Sequence, residues 1–157
     1  MKVVSIDSKT GKEVLTEIDE PSPDFFAFFK DVDLTDEQLR SQIDRMNISA
    51  DVKAMLYSFS KATVKVGKVI LKIGRKIIDI VFAIIRAFPN ITFGVIFGLI
   101  VGALITSIPV IGLVLGSLAT TIAVAFGFVV GAKADLLSSE MGQRIEAILA
   151  QFSPLRA

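Results

Sequence analysis

The sequence between Ile91 and Ala132 reads ITFGVIFGLIVGALITSIPVIGLVLGSLATTIAVAFGFVVGA. These forty-two consecutive residues include no Asp, Glu, Lys or Arg. A bilayer core about 30 Å thick needs roughly 20 helical residues per crossing, so the stretch is long enough for two passes. Because Pro109 lies near its middle and marks a turn, we expect a transmembrane helical hairpin with arms from Ile91 to about Ile105 and from Ile111 to about Ala132.

The glycines of this hairpin recur at four-residue spacing, which places each group on one face of a helix. The three groups are Gly94, Gly98 and Gly102; Gly112 and Gly116; Gly127 and Gly131. In lipid, close backbone approach at such small residues is a main source of helix association. The groups predict packing between subunits of a homo-oligomer, such as a tetramer. The alternative is that they only pack the hairpin against itself.

Composition agrees with a membrane protein and argues against an enzyme. Apolar residues make up 52% of the chain, and both Cys and His are absent. This excludes disulfides and the usual zinc ligands, and it removes the side chain best suited to acid–base catalysis near neutral pH. No P-loop or GxGxxG spacing occurs. We therefore expect no enzymatic activity, no cofactor and no metal.

Charge is divided sharply along the chain. Residues 1–50 hold six basic and eleven acidic side chains, whereas residues 51–90 hold eight basic and two acidic ones. The first twenty residues lack the apolar core of a secretory signal peptide. A basic block directly before the apolar hairpin predicts, by the positive-inside rule, a bacterial inner-membrane protein with both termini in the cytoplasm.

The acidic N-terminal segment, residues 1–46, is predicted to be a small cap. Two strand-like runs, Lys2–Asp7 and Lys12–Ile18, flank a glycine-containing turn and predict a β-hairpin. Short helices follow, one of them opened by a capping box at Thr35. Because an isolated hairpin is only marginally stable, its edges should pair with copies of the chain or with a partner protein.

Residues 49–88 contain no proline, and apolar residues recur in steps of three and four. This spacing predicts one long amphipathic helix of roughly 55 Å. Its cations recur at the same spacing on the face opposite the apolar seam: Lys61, Lys65, Lys68, Lys72, Arg75 and Lys76. Asp79 and Arg86 continue that face and are candidate gating residues; alternatively, both lie at the level of the lipid headgroups. Residues 133–157 are predicted to form a last amphipathic helix.

Three interpretations of the basic face stay open. It rests on anionic lipid headgroups, or it is a solvated helix face, or several subunits turn it inward to form a lysine-lined cytoplasmic funnel for phosphates or a nucleic-acid strand. Its span of about 22 Å along the helix favours the funnel. Aromatic residues suited to base stacking are confined to Tyr57 and Phe59, so such a ligand would be held mostly through phosphate.

This layout of a hairpin-containing cap, a long basic helix and a glycine-rich transmembrane hairpin resembles the membrane effectors of bacterial anti-phage systems of the Hailong type. The resemblance implies a multimeric pore, a nucleotidyltransferase encoded beside it, and a single-stranded DNA oligomer that holds the effector closed. It also implies that the face from Lys61 to Lys76 binds the oligomer. A looser similarity is to the hydrophobic hairpin of pore-forming colicins.

The sequence therefore predicts a mainly α, homo-oligomeric inner-membrane channel. Its opening would depolarise the membrane and arrest growth, and a DNA oligomer or nucleotide in the basic funnel would regulate it. The alternatives are a non-conducting membrane anchor or adaptor that recruits a soluble partner, and a holin-like lysis protein.

Overall fold

A computed structural model describes residues 1–7, 10–126 and 139–156. Within these ranges the chain forms seven α-helices and one four-stranded sheet. The strands are β1 (Lys2–Ile6), β2 (Glu13–Glu17), β3 (Val64–Val66) and β4 (Val69–Leu71). The helices are α1 (Pro23–Lys30), α2 (Asp36–Arg45), α3 (Ala50–Ser60), α4 (Ile73–Ala87), α5 (Phe93–Ser107), α6 (Pro109–Ala125) and α7 (Ser139–Phe152).

The sheet joins two hairpins that are far apart in sequence. Its order is β2-β1-β3-β4, and every neighbouring pair is antiparallel. The predicted N-terminal hairpin is present, with Val4 opposite Leu15. β1 pairs on its other side with β3, so one edge of the first hairpin is covered by a second hairpin of the same chain.

The long helix predicted over residues 49–88 is wrong, because the chain leaves helical structure after Ser60 and re-enters it at Ile73. Val64 and Val66 are buried on either side of the exposed Lys65, which is the alternation of a strand. Gly67 has a φ of +59° at the first position of a two-residue loop, where a tight hairpin turn needs a residue without a side chain.

The apolar hairpin is the centre of the fold. α5 packs against α4, α6 and α7, and it buries residues on all of its faces. Aromatic rings tie it to its neighbours: the Phe97 centroid lies 5.2 Å from that of Phe59 in α3, and the Phe93 centroid lies 5.2 Å from that of Phe82 in α4. One apolar core runs through the sheet and the helices.

The predicted two-pass transmembrane hairpin is wrong. A turn does occur beside Pro109, but α5 has 15 residues and α6 has 17. At 1.5 Å per residue they span about 22 and 26 Å, less than the roughly 30 Å of a bilayer core. Of all the helices in the described ranges, not one combines the length and the apolar character needed to cross a membrane. The end of the predicted second arm, residues 127–132, lies outside the described residues.

The predicted inner-membrane location and the transmembrane, ion-channel and pore-forming character depended on these two spans and are wrong on the same finding. The growth-arrest hypothesis and its anchor and holin-like alternatives relied on the same hairpin. No helix among the described residues could provide the membrane span that these three hypotheses require.

Of the seven glycines expected to pack subunits, the three in α5 are buried within the fold of the single chain. A β-carbon added at Gly94 would come within 2.7 Å of the Phe126 side chain, so the same chain fills this notch. Gly98 and Gly102 are buried in α5. A β-carbon at Gly112 would meet the Ile105 carbonyl at 3.3 Å, whereas one at Gly116 would meet nothing within 4 Å. Gly127 and Gly131 lie outside the described residues. Packing between subunits through these glycines stays a prediction.

The N-terminal phenylalanines and the last helix meet in one cluster. Phe28 and Phe29 of α1 contact Phe152 of α7 edge-on, at centroid distances of 5.3 and 5.4 Å. Phe25 and Phe29 are buried. The aromatic side chains of α1 therefore dock on protein and fix the C-terminal helix beside the N-terminal segment.

Candidate anion-binding cleft

A cleft of about 320 Å³ opens where α2, the end of α3 and the start of α4 meet. Its lining combines cations, hydroxyl groups and one aromatic ring. The lining residues are Asp36, Leu39, Arg40, Tyr57, Ser60, Lys61, Thr63, Lys72 and Arg75.

The β3–β4 hairpin brings the two lysines of the cleft together. Lys61 is the C-cap of α3 and Lys72 is the N-cap of α4, and the hairpin between them reverses the chain. The two helix ends are held in close contact, because the Gly74 amide donates to the Ala62 carbonyl at 3.2 Å. A β-carbon added at Gly74 would overlap the carbonyl group of Phe59. The glycine is what lets α4 begin directly against the end of α3.

The charges around the cleft are predominantly positive. Two of the charged lining residues form a pair: the Asp36 carboxylate accepts a hydrogen bond from Arg75 Nε at 2.9 Å, so these two charges neutralise each other. This hydrogen bond, together with the guanidinium charge, lowers the pKa of Asp36. Arg40, Lys61 and Lys72 are exposed, and none of them forms an ion pair with any described residue. The cleft therefore presents to solvent three cations that form no ion pair with a described residue.

Tyr57 supplies the aromatic wall. Its hydroxyl donates to the Asp44 carboxylate and lies 3.3 Å from the Arg40 carbonyl oxygen. Partial burial raises the pKa of Tyr57, and the hydrogen bond to Asp44 raises it further. The Arg40 guanidinium carbon lies 5.7 Å from the centre of the ring, within the range of a cation–π contact. The ring and the guanidinium group are thus positioned together before any ligand binds.

Arg75 belongs to the wall of the cleft and is not a free cation. Its Nη2 donates to the Leu34 carbonyl, and its Nη1 lies 3.5 Å from Asp79 Oδ1 without a hydrogen-bond partner among the described residues. Asp79 in turn accepts the amides of Asp33 at 3.0 Å and of Leu34 at 2.9 Å. Both Arg75 and Asp79 are buried.

Lys76 and Arg86 hold the same loop, the connection between α1 and α2. Lys76 Nζ donates to the Asp31 carbonyl and lies 4.4 Å from the centre of the Phe28 ring. Burial lowers the pKa of Lys76, and the nearby carboxylate of Asp79 opposes that shift. Arg86 pairs with Asp33 at 3.1 Å. The polar side chains of α4 therefore fasten the loop between α1 and α2, residues 31–35, to the helix.

The structure thus separates the predicted site residues into three groups. Lys61, Lys72 and Arg75 line the cleft. Lys65 lies on β3, and Lys68 lies in the turn that follows it, so these two do not share a helix face with the others. In the third group are Lys76, the last of the six residues expected to bind ligand, and the two gating candidates Asp79 and Arg86. These three contact the loop between α1 and α2.

Sequence reasoning missed Arg40 as a member of the site. It lies on α2, in the acidic segment, about twenty residues before Lys61. Nothing in its local sequence distinguishes it from a solvated helix residue. Only the packing of α2 on α3 brings it beside Tyr57.

These observations define the protein as an α+β protein with a basic cleft. No known protein family, curated protein or solved structure matches this chain. The resemblance to Hailong-type effectors therefore stays a prediction. In the described part of the chain, no group of three or more Asp, Glu, His or Cys side chains is arranged to hold a metal ion.

Proposed function

We propose that this protein is a binding module for a phosphate-bearing anion, either a nucleotide or the end of a single-stranded DNA oligomer, which it holds in the cleft between α2, α3 and α4. The observation that carries the proposal is the convergence of Arg40, Lys61 and Lys72 on one cavity, without an ion pair to any described residue.

The size and chemistry of the cleft support a small phosphorylated ligand. Its volume of about 320 Å³ is at the lower end of the range for small-molecule sites, roughly 300–1,000 Å³. Lysine and arginine are the side chains that bind phosphate oxygens most strongly.

The aromatic wall supports a nucleotide over a simple phosphate ion. Tyr57 could stack against a base, and such stacking contributes about 1–3 kcal/mol per base with little sequence preference. The hydrogen bond that the Tyr57 hydroxyl donates to Asp44 holds this wall in place. A ligand would therefore be selected by its phosphate and by one flat ring more than by base identity.

The test is a titration of the full chain with three probes: inorganic phosphate, ATP and a short fluorescent single-stranded oligonucleotide. The variant Lys61→Ala/Lys72→Ala removes two cations from the cleft and should weaken binding by at least tenfold. The control variant Lys12→Ala/Lys65→Ala removes two exposed lysines that lie outside the cleft, and it should weaken binding less than threefold.

The three probes also separate the ligand classes. Binding of ATP and of the oligonucleotide with similar affinity would indicate that the cleft holds one nucleotide, whereas an affinity that rises with strand length would indicate an oligomer. Equal losses in the cleft variant and the control variant, or no binding of any probe by the unaltered protein, would refute the proposal.

A further inference from the structure

The four-stranded sheet ends in two strands that have no further neighbour within the described residues, β2 and β4. Each free edge exposes an apolar side chain on the outer face of the sheet, because Leu15 of β2 and Ile70 of β4 are both 63% exposed. Free edges with exposed apolar side chains are surfaces on which another strand can pair.

The two edges carry complementary five-residue patterns. β2 reads Glu13-Val14-Leu15-Thr16-Glu17, with a carboxylate at each end. The β4 edge with its flanking residues reads Lys68-Val69-Ile70-Leu71-Lys72, with an ammonium group at each end. All four charged side chains are exposed. Like charges that face each other across two strands are destabilising, whereas opposite charges are favourable.

We propose that β2 of one copy of this chain pairs with β4 of a second copy in an antiparallel register, with Glu13 opposite Lys72, Leu15 opposite Ile70, and Glu17 opposite Lys68. The directions of the strands permit it, because three antiparallel steps across the sheet leave β2 and β4 running in opposite directions. The pleat permits it as well, because the cross-strand alignment Leu15–Val4–Lys65–Ile70 places Leu15 and Ile70 on the same face of the sheet.

The groove beside β4 accommodates the inward side chains of the added strand. It measures about 340 Å³, and its apolar lining comes from Phe26 and Phe29 of α1, from Val32 and from β4. Its charged lining residues are Lys30, Asp36, Lys72 and Arg75, of which the last three also line the cleft. In this register Val14 and Thr16 of the incoming strand would face the groove, while Leu15 would extend the outer apolar row that contains Ile70. One strand buries less than the roughly 1,200 Å² of a standard interface, so the association should be weak and concentration-dependent.

The contact is head-to-tail, because each copy uses a different edge toward each of its two neighbours. Such contacts form a ring when the rotation between copies closes and an open chain when it does not. Pairing of two like edges is disfavoured: antiparallel β2 with β2 would place Glu13 opposite Glu17, and β4 with β4 would place Lys68 opposite Lys72.

The test is sedimentation velocity over a wide range of protein concentration. The unaltered chain should form dimers and larger species as concentration rises. Either Glu17→Lys or Lys68→Glu should weaken association roughly tenfold, because each replaces an attraction by a repulsion. The double variant Glu17→Lys/Lys68→Glu should restore association. The control Glu37→Lys, which reverses an exposed charge on α2, should leave it unchanged.

Mixing the two single variants gives a sharper result. Each variant alone places like charges at position 17 and position 68 of the junction. In an equimolar mixture both kinds of junction are complementary, because the altered β2 pairs with the altered β4 and the unaltered β2 with the unaltered β4. The mixture should therefore recover the dimers and larger species that neither variant forms alone. Since Glu17 also accepts a hydrogen bond from the N-terminal ammonium group, Ile70→Thr provides a variant that leaves that contact intact and should also weaken association. An unaltered chain that stays monomeric, or a double variant that fails to recover, would overturn the proposal. Glu17, Lys68 and Ile70 do not line the cleft, so these variants leave its cations in place and the two proposals can fail independently.

Discussion

At the scale of single residues, Gly74 is the position where the fold leaves no room for a side chain. A β-carbon there would lie 2.8 Å from the Phe59 carbonyl carbon and would overlap the carbonyl oxygen. We expect Gly74→Ala to lower the free energy of unfolding by about 3 kcal/mol or more, because two backbones would have to separate. Urea denaturation followed by circular dichroism measures it.

Gly116 provides the matched control, since it also lies in a helix but an added β-carbon would meet nothing within 4 Å. Gly116→Ala should raise the free energy of unfolding by about 0.5–1 kcal/mol, because alanine has the higher helix propensity. Equal stability of the Gly74→Ala variant and the unaltered chain would show that α3 and α4 do not approach as closely as described.

The sequence could not reveal this difference between two helical glycines. Each one lowers helix propensity by the same amount, about 1 kcal/mol relative to alanine. What separates them is the neighbouring backbone of Phe59, which belongs to another helix and is brought there by the β3–β4 hairpin.

At the scale of the elements, Asp79 connects helix α4 to the loop between α1 and α2. Its carboxylate is buried and accepts the amides of Asp33 and Leu34 beside the Arg75 guanidinium group. Asp79→Asn keeps the size of the side chain but leaves Arg75 with one fewer countercharge. We expect a loss of about 3 kcal/mol in the free energy of unfolding, as is typical when one partner of a buried ion pair is removed.

Hydrogen exchange distinguishes a local effect of this substitution from a global one. The amides of Asp33 and Leu34 should lose protection in Asp79→Asn to a greater extent than the amides in the core of α5. The control Asp33→Asn disrupts only the exposed pair with Arg86 and should change stability by less than about 1 kcal/mol. Unchanged exchange at both amides would contradict the anchoring role.

The segment between Lys61 and Lys76 shows why the elements were only partly predictable. Val66, Ile70, Ile73 and Ile77 recur in steps of four and three, which favours a helix. The start of the segment also fits strand alternation, with Val64 and Val66 on one side and Lys65 on the other. The glycine after Val66 decides between the two, because it permits a two-residue turn and weakens a helix. By contrast, the N-terminal hairpin and the capping box at Thr35 rest on local signals, and both are present.

At the scale of the whole molecule, the sequence alone predicts the wrong surroundings for the apolar stretch around α5, namely lipid instead of a protein core. A helix that is apolar on all faces belongs either in a membrane or in the centre of a protein. In this fold α4, α6 and α7 cover α5, and α4 and α7 do so with the apolar faces of amphipathic helices. Hydropathy measures only the preference to leave water, and it does not distinguish lipid from a protein core.

This central position predicts different effects for two apolar residues of the hairpin. Ile100 of α5 is fully buried, so Ile100→Ala should lower the free energy of unfolding by about 2–5 kcal/mol through lost contacts and a new cavity. Val124 of α6 is 66% exposed, so Val124→Thr should change it by less than about 0.5 kcal/mol. Denaturant titrations of the two variants, with equal slopes confirming that both unfold the same structure, measure the difference. If the two substitutions had the same small effect, α5 would not be the centre of the core, and the packing that positions α3 and α4 around the cleft would lose its support.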